Sequence, residues 1–210
     1  MPPMSLWGRF FAAGYDRFLS GSEDAGLRDH RHTLLAKARG RVLEIGAGTG
    51  LNLDHYPDTI EEVVFTEPEE PMARRLDRKL VDAGRSGRVV HAPAEKLPFE
   101  DNSFDTVVCT LVLCTVEDPQ RALSEVARVL RPGGELLFME HIRSDDPKLA
   151  RWQDRLVTPW RWFGCGCNCN RPTPDLINGS PLEIEEIEHG EFPKSPPLVR
   201  PLVVGRARAA

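Results

Sequence analysis

Residues 42–50 read Val42-Leu43-Glu44-Ile45-Gly46-Ala47-Gly48-Thr49-Gly50, a short apolar segment followed by glycines at alternate positions. The apolar part predicts a buried β-strand that ends at Ile45. The glycines predict a tight turn in which a ligand can approach main-chain N–H groups. We expect Leu51 to Tyr56 to begin a helix over that ligand, because a helix N-terminus favours negative or electron-rich groups.

A second apolar run, Glu62 to Thr66, is closed by an acid, Glu67, which lies 23 positions after Glu44. At about this spacing a carboxylate on the second strand accepts hydrogen bonds from a ribose. A G-x-G-x-G turn is a weak signal by itself, and a surface turn with a solvated glutamate is the alternative. Between a strand and a helix, with an acid closing the next strand, it predicts a nucleoside-bearing cofactor across the strand ends.

Two longer stretches, AEKLPFEDNSFDTVVCTLVL at 94–113 and EVARVLRPGGELLFMEH at 125–141, complete a recognisable pattern. With the glycine turn, they resemble class I S-adenosylmethionine-dependent methyltransferases, strongly from Arg41 to His141 and more weakly in the flanks. Within that superfamily, VVCTLVLCTV at 107–116 and FMEH at 138–141 are most similar to the methyltransferase-like thiol S-methyltransferases. Bacterial phospholipid N-methyltransferases come next.

The resemblance implies S-adenosylmethionine as cofactor and assigns a set of residues to it. Many relatives carry an aspartate immediately before Ala94, where this chain has Pro93, so we expect Glu95 to make the side-chain contact with adenine. The candidate cofactor-binding residues are Glu44, Gly46, Ala47, Gly48, Gly50, Asn52, Glu67, Pro68, Ala94, Glu95 and Thr110.

Five strand–helix units followed by a hairpin predict an α/β fold, a Rossmann-like doubly wound sheet of seven strands. The sheet should be mostly parallel, with the last strand antiparallel. We expect one methyltransferase domain over residues 1–210. Its parts are N-terminal helices with a lid (1–39), a cofactor-binding core (40–145), an acceptor-site cap (146–180) and a terminal hairpin (181–210).

The predicted lid is an amphipathic helix from Leu6 to Leu19, and the resemblance places Tyr15 and Asp16 near the cofactor. A helix packed on the domain and a membrane-surface helix are the alternatives. The following helix, Leu27 to Arg39, is expected to keep four basic side chains in solvent. They are Arg28, His30, Arg31 and His32.

Later elements follow from apolar runs and from proline and glycine stops. A nearly all-apolar run predicts a fourth strand, Asp105 to Leu113, buried on both faces. Helices are expected at Asp118 to Leu130, with proline in the first turn, and at Asp145 to Val157. The fifth strand is predicted at Glu135 to Glu140. The hairpin strands are Leu182 to His189 and Leu198 to Arg206.

The carboxyl ends of the fourth and fifth strands should face the methyl-transfer site. His141 lies there as a candidate general base or acceptor-positioning group, and a hydrogen-bonded loop histidine is the alternative. Glu140 and Tyr15 are the other candidate bases. A thiol with a pKa of about 8.5 is already partly thiolate at neutral pH, so a thiol acceptor needs little base catalysis.

Three cysteines, Cys165, Cys167 and Cys169, alternate in one loop. Zinc is an alternative here, but zinc sites favour C-x2-C pairs and four ligands, so we expect no metal. The family pattern in this loop is one Gly-Cys and an Asn-Arg pair. We therefore interpret the loop as the acceptor-site cap, with Trp160 and Trp162 lining an apolar pocket. The candidate acceptor-site residues are Cys114, Trp160, Cys167, Asn170 and Arg171.

The overall composition indicates which partners and which cellular compartment to expect. The net charge is −5, and the 27 Lys and Arg are scattered among 32 Asp and Glu, so we expect no nucleic-acid partner. With no signal peptide and no apolar run of ~18 residues, we expect a cytoplasmic protein, without the apolar leader of animal thiol methyltransferases. Membrane-surface contact is not expected. Five cysteines do not indicate a disulfide framework.

These observations predict methyl transfer to a small-molecule acceptor, most simply a thiol, by direct in-line displacement. Two alternatives stay open. One is N- or C-methylation of a phospholipid head group, a quinone or a secondary metabolite. The other is a domain that binds S-adenosylmethionine without turnover. The sequence leaves the oligomeric state open.

Overall fold

A computed structural model of the protein describes residues 14, 16–17, 19–164 and 166–209. Its centre is a seven-stranded sheet in the order β3-β2-β1-β4-β5-β7-β6. Strands β1 to β5 pair in parallel, and β7 is antiparallel to both β5 and β6. The predicted doubly wound sheet is confirmed. The strands are β1 (Arg41–Ile45), β2 (Glu62–Thr66), β3 (Arg88–Val90), β4 (Phe104–Thr110), β5 (Leu130–His141), β6 (Leu182–Glu191) and β7 (Pro201–Ala209).

Helices cover both faces of the sheet. Adjacent residues of a strand point to opposite faces, so Val107 packs in the cluster that contains Leu123 of α3, and Val108 in the cluster that contains Leu34 of α1. The two apolar layers explain why β4 is buried almost throughout. The helices are α1 (Arg28–Leu35), α2 (Glu70–Asp82), α3 (Pro119–Val129), α4 (Pro147–Phe163) and α5 (Thr173–Asn178).

Several predicted boundaries move for identifiable reasons. Strand β4 ends at Thr110 rather than Leu113, because Leu111 adopts a left-handed backbone with φ of 59°. Strand β5 begins at Leu130, which pairs with Phe104, and the register shifts before Glu135. Helix α4 runs to Phe163 and includes the tryptophans that were expected to follow it.

The helix predicted to begin over the ligand at Leu51 to Tyr56 is wrong. The segment consists of turns and a single 3-10 turn, Leu53–His55. Pro57 follows, and Tyr56 is extended with ψ of 134°. The residue before a proline is driven out of the helical region, which leaves too few positions for an α-helix.

The predicted lid helix lies mostly outside the described residues, as does Tyr15. Within the described ranges, no helix combines the length and the apolar character that crossing a bilayer requires.

Candidate active site

The order of strands places the site. From β1 the chain proceeds outward to β2 and β3, then crosses back to β4 on the other side of β1. Ligands of doubly wound sheets bind at this reversal, outside the carboxyl ends of the strands. The glycine turn follows β1, Glu67 follows β2, and Thr110 ends β4. The structure therefore brings these three predicted elements to one edge.

The three glycines of the turn have different functions, although all have positive φ. A Cβ on Gly46 would lie 2.7 Å from a methyl group of Val112, and one on Gly50 would lie 2.6 Å from Leu76. Both positions are therefore restricted by packing. A Cβ on Gly48 would meet only Met72 Sδ, at 4.0 Å. The space beside Gly48 is open to a ligand.

Glu67 is 4% exposed and faces this turn. Its Oε2 accepts the N–H of Gly48 at 2.8 Å, and its Oε1 accepts the N–H of Glu69 at 2.9 Å. Burial raises the pKa of this carboxyl to about 6, although both backbone hydrogen bonds oppose the shift. The carboxylate is held in place and keeps free lone pairs for ligand hydroxyls.

A buried polar network lies beneath the turn. The side-chain amide of Asn52 donates to Glu44 Oε1 at 3.0 Å and to Thr110 Oγ1 at 2.9 Å. Tyr56 donates to Glu44 Oε2 at 2.5 Å. Burial raises the pKa of Glu44 to about 7. Three predicted cofactor residues are thus brought together, and Tyr56 is an additional member that the sequence analysis missed.

Arg31 completes this network and corrects the prediction that it points into solvent. It is 3% exposed, and its Nε donates to Glu23 Oε1 at 3.0 Å. Its Nη1 donates to Asn52 Oδ1 at 2.8 Å and to Thr110 Oγ1 at 3.3 Å. The signal was present in the sequence, because Arg31 lies at helical spacing from buried Leu27 and Leu35.

The segment before α1 also reaches the glycine turn. Asp16 accepts a hydrogen bond from Thr49 and forms an ion pair with Lys79 at 3.2 Å. Asp16 therefore lies beside the candidate cofactor site, as the resemblance implied. Its neighbour Tyr15 is outside the described residues.

The other candidate cofactor residues, Pro68, Ala94 and Glu95, differ in their surroundings. Ala94 is buried in the core, and Pro68 lies between Glu67 and the start of α2. Glu95 Oε1 accepts the N–H of Glu117 at 2.8 Å, which ties it to the approach to α3. A contact between Glu95 and adenine stays a prediction.

At the other end of the site, Glu140 fixes the chain as it leaves β4. This side chain is fully buried, and its Oε1 accepts the N–H groups of Val112 and Leu113 at 2.8 and 3.0 Å. Burial raises its pKa. These contacts give Glu140 a positioning role next to His141, and a role as a base stays a prediction.

Cys114, His141 and Cys167 meet at this end, although 26 or 27 positions separate each from the next. Each offers a ligand atom, and these three atoms lie within 4.8 Å of one another. His141 Nε2 is 3.0 Å from Cys167 Sγ, and Trp160 Nε1 donates to the same sulfur at 3.1 Å. The adjacent Cys114 thiol and the hydrogen bond with His141 hold the pKa of Cys167 well below its usual range. Burial lowers the pKa of His141, but the hydrogen bond with Cys167 outweighs it and the pKa is raised.

The cap loop is fixed by hydrogen bonds to the chain after β4. Arg171 Nη1 donates to the carbonyls of Leu113 and Val116 at 2.6 and 2.8 Å. The Asn168 N–H donates to the Cys114 carbonyl at 2.8 Å. Asn168 is thus a missed member of this cap.

Two other cap residues lie away from the cluster. Asn170 donates to Asp154 at 3.0 Å, at the exposed surface of α4. Trp162 is 74% exposed, so the prediction that it lines the pocket with Trp160 is wrong. Cys165 is outside the described residues. Trp160 therefore provides the indole at the cysteine–histidine cluster.

Fold and site together define an α/β protein with a nucleoside-cofactor site at the sheet reversal. A family model described as a methyltransferase domain matches residues 43–138. Thiol S-methyltransferase TMT1B of Homo sapiens is 38% identical over 178 residues, which are 81% of this chain and 70% of that protein.

Two further proteins agree with this match. The phosphatidylethanolamine N-methyltransferase of Cereibacter sphaeroides is 37% identical over 120 residues, covering 56% of this chain and 59% of that protein. A crystal structure from Thermotoga maritima, described as an S-adenosylmethionine-dependent methyltransferase and possible histamine N-methyltransferase, superposes with a TM-score of 0.71. It is 25% identical and covers 97% of this chain and 98% of its own. The chain belongs to the S-adenosylmethionine-dependent methyltransferases, with S-adenosylmethionine as methyl donor.

Proposed function

We propose that the chain transfers the methyl group of S-adenosylmethionine to the sulfur of a small-molecule thiol. The main support is the extent of the match to TMT1B. The match covers 81% of a 210-residue chain, which is about 170 residues. A match of that length includes every position from about 41 to 170, wherever in the chain it begins. It therefore includes the acceptor end with Cys114, His141 and Cys167, whereas the family model stops at residue 138.

The described residues fit the donor at the glycine turn. The open space beside Gly48 admits a ligand, and the Glu67 carboxylate is positioned to accept hydrogen bonds from ribose hydroxyls. Beneath them, Glu44, Asn52 and Thr110 hold the floor of the site through their mutual hydrogen bonds. When bound, S-adenosylmethionine supplies an electrophilic methyl group on a sulfonium sulfur.

The chain's task is then to align the acceptor. Holding two reactants in line can lower a barrier by roughly 7–11 kcal/mol. The acceptor end is rigid because Glu140 and Arg171 fix the backbone around Cys114 from two sides. His141, at the end of β5, is the group we place on the acceptor. A thiol suits this site because its pKa of about 8.5 requires little base catalysis.

The test compares acceptor classes. Purified protein is incubated with donor carrying a deuterated methyl group and with thiols, amines, quinols and phospholipid vesicles, each in a separate reaction. Products are identified by mass spectrometry, and the Gly48→Val variant serves as the enzyme control. We expect labelled thioethers from the thiols only. Label on nitrogen, on carbon or on lipid alone would exclude thiol methylation, and donor binding without any product would indicate a sensing domain.

A further inference from the structure

We infer that Cys114, His141 and Cys167 form a binding site for a soft divalent cation of the zinc type, whose open position receives the acceptor sulfur. The cation site itself rests on the geometry of the three side chains. The assignment of its open position to the acceptor rests on the proposed thiol methylation.

The first support is the convergence of three suitable ligands. Their ligand atoms lie within 4.8 Å of one another, and His141 Nε2 is 3.0 Å from Cys167 Sγ. Around a tetrahedral zinc ion, with Zn–S of about 2.3 Å and Zn–N of about 2.0 Å, such atoms are separated by about 3.5–3.8 Å. Only small side-chain adjustments separate the two arrangements. Two sulfurs and an imidazole are donors that favour zinc over magnesium or calcium.

The second support is that the site is built before any ion arrives. The three ligands come from the chain after β4, the end of β5 and the loop after α4, and all are buried. Hydrogen bonds from Arg171 and Asn168 to the backbone around Cys114 hold these separate segments in register. Preorganised ligands of this kind distinguish a metal site from a chance cluster of polar side chains.

The local charges also favour a cation. Glu140, fully buried beside His141, has an Oε2 atom without a hydrogen-bond partner among the described residues. Arg171 is an opposing charge that interacts with Cys114, Cys167 and His141, while its Nη1 donates to two backbone carbonyls. Two thiolates neutralise a divalent ion. On binding, Cys114 gives up its proton and the proton shared by His141 and Cys167 also leaves, so two protons pass to solvent for each cation.

Three protein ligands leave one tetrahedral position open, which is the pattern of catalytic rather than structural zinc sites. An acceptor thiol in that position loses its proton to solvent and is held as a thiolate. Its sulfur then forms the bond to the methyl carbon, and the electron pair of the broken carbon–sulfur bond stays with the donor's sulfur. The neutral thioether product is a weaker ligand and leaves. His141 serves in this account as a ligand, which agrees with its position at the acceptor.

The experiment measures metal binding without turnover. The full chain, purified without a polyhistidine tag, is analysed for bound zinc and titrated with Cd²⁺ while the thiolate-to-metal charge-transfer absorption is followed. We expect one equivalent per chain. In Cys114→Ser, Cys167→Ser and His141→Ala the affinity should fall about a hundredfold or more, beyond the loss typical of outer-shell partners. The matched control is Cys169→Ser, because Cys169 is buried in the same loop but its sulfur faces the Gln153 carbonyl.

Absence of a bound equivalent in the wild-type chain would overturn the site, whatever the variants do. So would unchanged affinity in folded Cys114→Ser, or a loss of binding that follows Cys165→Ser instead. With Co²⁺ in the site, adding a thiol should shift the visible spectrum; an unchanged spectrum would overturn the open-position assignment.

Thiol methylation by a chain that binds no metal would reject this inference and leave the proposed function intact. Metal binding with methylation of amines only would reject the thiol acceptor and keep the cation site.

Discussion

Cofactor affinity should depend on pH through Glu67. Its carboxylate faces the glycine turn, and burial raises its pKa to about 6. The ribose hydroxyls donate hydrogen bonds to the charged form, so binding favours ionised Glu67. At pH 8 nearly all of the free protein carries this charge, whereas at pH 5 only about a tenth does. The affinity should therefore fall about tenfold from pH 8 to pH 5, which corresponds to about 1.4 kcal/mol.

The stability of the unliganded protein should change with pH in the opposite direction to its cofactor affinity. A carboxyl whose pKa is raised by folding contributes stability at low pH, and that contribution is lost as the pH rises through about 6. Lowering the pH should therefore stabilise the fold through Glu67 while it weakens cofactor binding. A loss of affinity caused by acid-induced unfolding would instead be accompanied by a loss of stability.

Isothermal titration calorimetry with S-adenosylhomocysteine is a suitable assay, because this product has no group that titrates between roughly pH 5 and 8. Glu44, with its pKa raised to about 7, is a second titrating group beneath the turn. The decisive quantity is therefore the difference between the wild type and Glu67→Gln. The variant should bind more weakly at pH 8 and lose the tenfold change. Parallel pH profiles for the two proteins would refute the assignment of Glu67 to the ribose.

Three substitutions test other parts of the site. Gly48→Val should abolish cofactor binding by filling the open space, whereas Gly84→Val, at the same positive φ with nothing nearby, should leave the affinity unchanged by calorimetry. Arg31→Ala should lower the free energy of unfolding by about 3–5 kcal/mol, since it leaves Glu23 buried without its partner, while Arg28→Ala should cost less than about 0.5 kcal/mol in denaturant titrations. His141→Ala should reduce kcat at least about tenfold with little change in cofactor affinity; equal activity would return His141 to a structural role.

The sequence predicted the parts of the site that local chain geometry determines. A strand, a glycine turn and an acid at the end of the next strand are specified within residues 42–67, and the structure places Gly48 in contact with Glu67 as this order implies. The mostly parallel sheet with an antiparallel last strand was also predicted, because alternating strands and helices require crossovers of restricted handedness.

What the sequence missed depends on contacts between distant segments. Helical spacing placed Arg31 on the side of buried Leu27 and Leu35, but its partner Asn52 lies 21 positions away, so the sequence did not show what would accept hydrogen bonds from a buried guanidinium. The meeting of Cys114, His141 and Cys167 requires the loop after α4 to fold back on two strand ends, and no local pattern encodes that path. The sequence offered zinc in the cysteine loop only as an alternative to the expectation of no metal, whereas the structure groups Cys167 of that loop with Cys114 and His141.

A crystal structure with S-adenosylhomocysteine and a thiol bound tests the central claim most directly. We expect the ribose hydroxyls on Glu67, the amino-acid end of the product beside the glycine turn, and the thiol sulfur next to Cys114, His141 and Cys167. A product bound at any other edge of the sheet, or a thiol remote from these three side chains, would contradict it.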